Sequence, residues 1–198
     1  MFQDVKFSLD DMIDPVSPAE FLEHYWEKKH LHISRGNAEH YGPMMKAEDI
    51  DRWLHLARRS RGRMGVVIPP SEQNPSGGYR ATTPADASIA ELYKAFDSGC
   101  SLALVDVQDY WLPLLPLTQA LAEAFSSRIS VNVYFTPAGK QGVFIHPDVT
   151  DVFVLQMEGA KEWFMFEPGY MLPAETVQHW AQLSGPHWQS IASYQGKS

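Results

Sequence analysis

The chain has 198 residues, 44% of them hydrophobic and 20% charged, which is enough for one substantial core and too little for two. Its net charge of -8 argues against a nucleic-acid substrate and favours a basic protein partner. Cys100 is the only cysteine, which excludes an intrachain disulfide, and the first residues lack the features of a signal peptide. No apolar run is long enough to span a membrane. These features predict a soluble, cytoplasmic protein.

The first hundred residues carry patterns typical of helices. Ser17 and the Pro-Ala-Glu that follows it form a capping-box pattern, which predicts a helix over 18–28. Apolar residues at helical spacing predict further helices over 47–57 and 88–97. Residues 69–84, between these two helices, are rich in Pro, Gly, Ser and Asn. We expect them to form a long exposed loop without helix or strand.

The second half is mainly β in character, apart from one helix predicted over 117–125. Apolar and polar residues alternate over 129–135, which predicts a strand with Asn132 and Tyr134 on one face. We expect antiparallel strands joined by tight turns. The strands are predicted at 102–105, 129–135, 143–146, 151–157 and 161–166.

The two halves together predict a single α+β unit. We assign residues 1–100 to a mainly helical part and residues 101–198 to a β core. No internal repeat or linker divides the sequence.

His146 and Asp148 lie two positions apart in an extended segment, so their side chains are expected on the same face. An imidazole and a carboxylate arranged in this way can bind one divalent metal, as in iron sites with two histidines and one carboxylate, although the pair also suits Zn²⁺ or Mn²⁺. Lys161 follows in a strand-like stretch beside Trp163, where an ammonium group needs an anion. In a plainer interpretation His146 and Asp148 cap a turn, and Lys161 extends its charge to solvent.

Six segments form an ordered set along the chain: 21–33 (FLEHYWEKKHLHI), 132–139 (NVYFTPAG), 141–142 (QG), 146–148 (HPD), 151–156 (DVFVLQ) and 159–163 (GAKEW). Together they resemble the JmjC-type ribosomal oxygenases of the cupin superfamily. The first segment departs from the family pattern, since His30 stands where proline is usual. The resemblance implies an α+β fold in which a double-stranded β-helix, the jelly roll of cupins, follows N-terminal helices.

The resemblance also implies an enzyme, a dioxygenase that hydroxylates a histidine or arginine side chain of a basic ribosomal protein. Fe(II) would be held by His146 and Asp148, with 2-oxoglutarate as cosubstrate. Lys161 matches the basic residue that pairs with the distal carboxylate of 2-oxoglutarate. Asn132 matches a polar residue lining the same pocket, and Tyr134 shares its face. For both, a hydrogen-bonded polar residue inside a barrel is the plainer interpretation.

The sequence departs from the family pattern at the third metal ligand, a histidine that relatives supply from a late strand. Only His179 and His187 follow Asp148, in a stretch without strand alternation, and both are weak candidates. Residues 129–166 supply about half of an eight-stranded β-helix. We therefore expect an incomplete barrel and a C-terminally truncated chain.

An incomplete barrel favours pairing with a second copy, since it leaves strand edges exposed. It also leaves open a second function, a non-catalytic cupin-like module that binds a basic protein segment. A cupin enzyme of another chemistry is a third option, against which Lys161 argues.

Overall fold

The computed structural model of the chain describes residues 7–59, 63–71, 77–82, 88–143, 146, 148, 150–166 and 190–197. The chain divides into two compact units, each assembled from two separate stretches. The sheet unit comprises Met1–Met12 and Met44–Phe144, and the motif unit comprises Ile13–Pro43 and Ile145–Ser198. The predicted division at residue 100 stays a prediction.

The described residues form five α-helices, six strands and three short 3-10 turns. The helices are α1 (Leu9–Ile13), α2 (Pro18–His24), α3 (Ile50–Arg59), α4 (Ile89–Asp97) and α5 (Leu115–Phe125). The strands are β1 (Arg63–Ile68), β2 (Gly78–Thr82), β3 (Ser101–Val105), β4 (Val133–Phe135), β5 (Ala160–Phe166) and β6 (Ser190–Lys197). The 3-10 turns are Ala47–Asp49, Val107–Asp109 and Leu112–Leu114.

The sheet unit contains a four-stranded antiparallel sheet in the order β2-β1-β3-β4. Four consecutive residues of each central strand are buried, and Met64, Val66, Leu102 and Leu104 are at most 2% exposed. Helix α3 adds Leu54, which has no exposed surface. Burial of apolar side chains on both faces makes these two strands the core of the sheet unit.

Strands β1 and β2 correct two expectations. The predicted loop over 69–84 is wrong for its later part, because β2 pairs there with β1, and β1 itself lies in the stretch predicted to be mainly helical. Gly65 permits this pairing: a Cβ built there would lie 2.8 Å from the hydroxyl of Tyr79 and 2.7 Å from the carbonyl oxygen of Arg80. The Tyr79 side chain thus lies across Gly65 on the neighbouring strand.

The predicted helices are all present, but α2 ends at His24 instead of residue 28, and residues 47–49 form a 3-10 turn before α3. Helix α2 starts at the predicted cap, where the Ser17 hydroxyl accepts a hydrogen bond from the backbone N–H of Glu20 at 3.2 Å. Helix α4 has a complete capping box, in which Ser88 and Glu91 each bind the backbone N–H of the other. A reciprocal cap of this kind satisfies two of the backbone N–H groups that have no partner within the first turn of a helix. The serine followed three residues later by glutamate makes such a helix start recognisable in the sequence.

The motif unit contains the antiparallel pair of β5 and β6, in register from Ala160 opposite Lys197 to Phe166 opposite Ser190. The predicted strand over 161–166 is therefore confirmed as β5. The tight hairpins that we expected are wrong here, because β5 pairs with the distant β6 rather than with a neighbour in sequence. The described residues 151–157 form no strand, and the strand predicted over 129–135 shrinks to β4. The strand predicted over 143–146 falls partly outside the described residues.

An aromatic cluster forms the described core of the motif unit. The ring of Phe21 on α2 lies 6.0 Å from those of Trp26 and Phe153, and the last two rings stack 6.2 Å apart. The segment before β5 is thus held against α2 by ring packing rather than by strand pairing. Within the described residues no helix is long and apolar enough to cross a membrane.

Candidate functional site

His146 and Asp148 come together in the motif unit as their spacing predicts. Nε2 of His146 lies 3.8 Å from Oδ1 of Asp148, and the side chains are 19% and 48% exposed. Two donor atoms that each bind one metal ion at about 2.1 Å are at most about 4.2 Å apart. Nitrogen and carboxylate oxygen donors suit Fe(II), Zn²⁺ and Mn²⁺ alike. The pair therefore fits a metal ion reached from solvent.

A third ligand is not found among the residues that the structure describes, since they contain no group of three or more His, Cys, Asp or Glu side chains placed to hold a metal. His179 and His187, the two candidates left by the sequence, lie outside the described residues.

Lys161 occupies the second position of β5. It lies half-buried on the same side of the strand as Trp163 and Met165, while Glu162 and Phe164 on the other side are exposed. Burial lowers the pKa of the Lys161 ammonium group. In the described part of the chain no carboxylate pairs with this ammonium. A desolvated cation without a counter-charge is the arrangement that an anionic ligand would relieve.

Asn132 and Tyr134 share one side of the segment that enters β4, as the alternation predicts, and both are exposed. The side-chain oxygen of Asn132 accepts a hydrogen bond from the backbone N–H of Asp106 at 3.3 Å. Tyr134 lies opposite Ala103 of β3. Both residues belong to the sheet unit, whereas His146, Asp148 and Lys161 belong to the motif unit.

Asp106 organises a polar cluster that the sequence did not reveal. Its carboxylate accepts hydrogen bonds from Arg63, Arg128 at 3.4 Å and Ser130 at 2.7 Å. The hydrogen bonds from Arg63 and then Ser130 hold the pKa of the Asp106 carboxyl below its usual range. Its partners come from separate parts of the chain, so only the alternation of Arg128, Ser130 and Asn132 could have hinted at it.

Comparisons with known proteins agree with these features. A model of the JmjC domain matches residues 113–190, which include His146, Asp148 and Lys161. Ribosomal oxygenase 1 of Danio rerio is 32% identical over 159 residues, covering 79% of this chain and 28% of that protein.

Two relatives named bifunctional lysine-specific demethylase and histidyl-hydroxylase NO66 match as well. The protein of Aedes aegypti is 30% identical over 89% of this chain and 27% of its own length. That of Branchiostoma floridae is 34% identical over 75% of this chain and 24% of its own length. The chain thus spans about a quarter of the length of these relatives.

The antiparallel sheet with its accompanying helices is the α+β architecture of a cupin jelly roll, represented by an incomplete set of strands in the described residues. Family model and relatives agree on one assignment: the chain belongs to the JmjC-domain ribosomal oxygenase family.

Proposed function

We propose that the chain acts as an Fe(II)- and 2-oxoglutarate-dependent dioxygenase that hydroxylates a histidine or arginine side chain of a ribosomal protein. One observation carries the proposal. Within the matched JmjC domain, a histidine and an aspartate approach to 3.8 Å, and a partly buried lysine without an acidic partner in the described chain follows on the next strand.

His146 and Asp148 are the proposed iron ligands. The imidazole nitrogen and the carboxylate oxygen form one corner of a coordination sphere and leave other positions open, as an oxygenase requires. When bound, iron and 2-oxoglutarate supply the oxidising chemistry that hydroxylates an unactivated C–H bond. The two side chains contribute position and charge. The carboxylate, 48% exposed, is open to an ion arriving from solvent.

Lys161 is the proposed partner of the distal carboxylate of 2-oxoglutarate. Because burial already penalises the charged ammonium, a carboxylate beside it would form a charge-assisted hydrogen bond and raise the lowered pKa of Lys161 towards its ordinary value. Trp163 and Met165 lie half-buried on the same side of β5 as Lys161.

Asn132 and Tyr134 are further proposed cosubstrate residues, on the strength of the family motif in which they stand. An amide and a phenol can donate hydrogen bonds to carboxylate oxygens without adding charge.

The proposed substrate is a basic segment of a ribosomal protein. The net charge of -8 favours encounter with such a segment and disfavours RNA. The names of the relatives refer to ribosomal oxygenase and histidyl-hydroxylase activity, which is consistent with this choice. We propose action in the cytoplasm and a homodimer in which exposed strand edges pair.

Anaerobic titration with Fe(II), with and without 2-oxoglutarate, tests the metal assignment. We expect the wild-type chain to develop a metal-to-ligand charge-transfer band in the visible region only when both are present. His146→Ala should lose the band. His24→Ala is the matched control, because His24 also faces a carboxylate, Glu23 at 4.0 Å, but on an exposed surface of the same unit. It should retain the band.

Two outcomes would contradict the proposal. A folded wild-type chain that gives no band would favour the non-catalytic module, which binding of a basic ribosomal peptide without metal would then support. A band retained by His146→Ala would remove this residue from the ligand set. Where the band forms, mass spectrometry of ribosomal peptides should show the addition of one oxygen atom and locate it on histidine or arginine.

A further inference from the structure

Arginines are concentrated just before and at the start of strand β1, although the chain as a whole is acidic. Of the 16 lysines and arginines, four stand at positions 58, 59, 61 and 63. Arg58 and Arg59 are exposed at the end of α3, and Arg63 opens β1. The chain from Arg59 to Arg63 spans at most about 14 Å. The net charge therefore disfavours RNA as the substrate without excluding a local contact with phosphate groups.

Asp106 brings another arginine, Arg128, beside Arg63. Its carboxylate, with a side chain 15% exposed, accepts a hydrogen bond from Nη2 of each guanidinium, whereas the arginine side chains are 73% and 76% exposed. A guanidinium has five N–H bonds, and in the described part of the chain we find no other acceptor for either group. One carboxylate thus holds two guanidiniums together and leaves one positive charge and most of their donors accessible from solvent.

The exposed ring of Tyr79 lies next to this pair. A Cβ at Gly65, two positions after Arg63 on β1, would point to the same side of the sheet as the Arg63 side chain. The Tyr79 hydroxyl lies 2.8 Å from the position of that Cβ. Burial raises the pKa of Tyr79, and the charge of Arg63 acts in the opposite direction because the two side chains are close. Tyr79 is nevertheless 48% exposed.

Two neighbouring guanidiniums and an exposed aromatic ring are the groups that bind single-stranded RNA. Arginine binds phosphate oxygens through paired N–H donors, and an aromatic ring stacks on a base of any sequence. An acidic peptide would satisfy the arginines, but it has no base to stack on Tyr79. The combination therefore favours RNA over an acidic protein segment.

We propose that Arg63, Arg128 and Tyr79 form a contact site for single-stranded RNA, in which the guanidiniums bind phosphate groups and the ring stacks on a base. All three residues belong to the sheet unit, so the inference does not depend on the iron site of the proposed function. RNA is a binding partner here, and a protein side chain remains the proposed substrate.

Fluorescence anisotropy with a labelled oligouridine of about ten nucleotides, over a range of salt concentrations and without iron or 2-oxoglutarate, tests the site. Arg63→Gln and Arg128→Gln should each weaken binding about three- to tenfold. Each should also make the dependence of log affinity on log salt shallower by about 0.7, the value for one phosphate contact on a single strand. Circular dichroism checks that the variants are folded.

Tyr79 separates stacking from charge in the same assay. Tyr79→Leu should weaken binding about tenfold and leave the salt dependence unchanged, because stacking releases no counterions. Tyr79→Phe keeps the ring and should bind within about threefold of the wild type. Arg80→Gln is the matched control for the arginines: Arg80 is exposed, but it follows Tyr79 on β2 and so lies on the opposite face. It should leave the salt dependence unchanged.

Asp109 provides a variant in which binding should improve. Gln108 donates to the carboxylates of both Asp106 and Asp109, at 3.4 and 3.1 Å, so a second carboxylate lies beside the arginine pair and repels phosphate. Asp109→Asn should strengthen RNA binding about two- to threefold at low salt, a gain that loss of folding cannot produce.

Three outcomes would overturn the inference. A folded wild-type chain that binds no oligouridine would remove the RNA contact. An equal change of salt dependence in Arg80→Gln would show that the attraction is spread over the unit. A polyglutamate peptide of the same length that binds as tightly as the RNA would show that the surface accepts an acidic protein segment instead.

Discussion

The sheet unit and the motif unit differ in where their apolar side chains lie. Among the described residues, all but two of the nearly buried apolar side chains belong to the sheet unit, and the exceptions are Ile13 and Phe21. The motif unit carries His146, Asp148 and Lys161, which are half-buried or exposed. Dense packing holds a frame rigid, whereas partly exposed polar groups stay accessible to a ligand. Substitutions of the buried apolar residues of the first unit should therefore change stability, and substitutions of His146, Asp148 or Lys161 in the second should change ligand binding.

The sharpest test of this contrast is Leu54→Ala in helix α3. Leu54 has no exposed surface, so its truncation leaves a cavity and should lower the free energy of unfolding by about 2–5 kcal/mol. Leu112→Ala is the control, because Leu112 is 66% exposed and its loss should change little. Urea unfolding followed by circular dichroism measures both. Equal effects of the two substitutions would show that the sheet unit does not contain the stabilising core.

Gly65→Ala should have the next largest effect. The new methyl group would lie within 3 Å of the Arg80 carbonyl oxygen and the Tyr79 hydroxyl, so β1 and β2 would have to separate, at a cost of about 1–3 kcal/mol. Gly78→Ala on β2 is the matched control, since a Cβ there meets nothing within 4 Å. A smaller loss for Gly65→Ala than for Gly78→Ala in the same unfolding assay would contradict this account of the pairing.

Helix α4 and strand β2 show why some elements could be predicted from the sequence and others could not. Helix α4 was predictable because its signals are local, with a cap at Ser88 and apolar residues at helical spacing. Strand β2 was not, because its Gly-rich sequence resembles a loop and becomes a strand only through pairing with β1. The short β4 and the distant pairing of β5 with β6 are likewise set by tertiary contacts, which override local pattern.

The candidate site divides in the same way. His146 and Asp148 could be predicted because a spacing of two residues fixes their relation without knowledge of the fold. The Asp106 cluster could not, since it joins Arg63, Asp106 and Ser130 from three separate stretches. The alternation of Arg128, Ser130 and Asn132 marks one polar face of a segment, but it does not show that Asp106 is their common partner.

Lys161→Met tests whether a substitution in the motif unit changes ligand binding without lowering stability. We expect the affinity for 2-oxoglutarate to fall by about 10- to 100-fold, as for the loss of a hydrogen bond between charged groups, while Fe(II) affinity is retained. Stability should not fall, because methionine removes a cation whose burial is unfavourable. Calorimetry and thermal unfolding measure the two effects, with the exposed Lys94→Met as a control for both.

Because folding lowers the pKa of Lys161, the contribution of this residue to stability should depend on pH. The pKa of Lys161 is lowered in the folded chain, so the unfolded chain binds this proton more tightly. Its contribution to stability is therefore unfavourable below the folded pKa and disappears as the pH rises towards the ordinary value of 10.5. Lys161→Met should lack that rise in stability, and a variant less stable than the wild type at neutral pH would count against desolvation as the cause.

The smallest expected effect lies in the sheet unit, where Tyr93 of α4 donates a hydrogen bond to the carboxylate of Asp51 on α3. Burial, followed by this hydrogen bond, raises the pKa of Tyr93 to about 12. The neutral phenol is the form that the fold stabilises, so its contribution is complete below pH 10, the ordinary value, and is lost as the pH rises towards 12. Asp51→Ala should lower the pKa only part of the way, because burial, the larger cause, remains. Ultraviolet titration against Tyr93→Phe isolates this group, and a complete return to the ordinary value would show that the carboxylate, rather than packing between the helices, controls it.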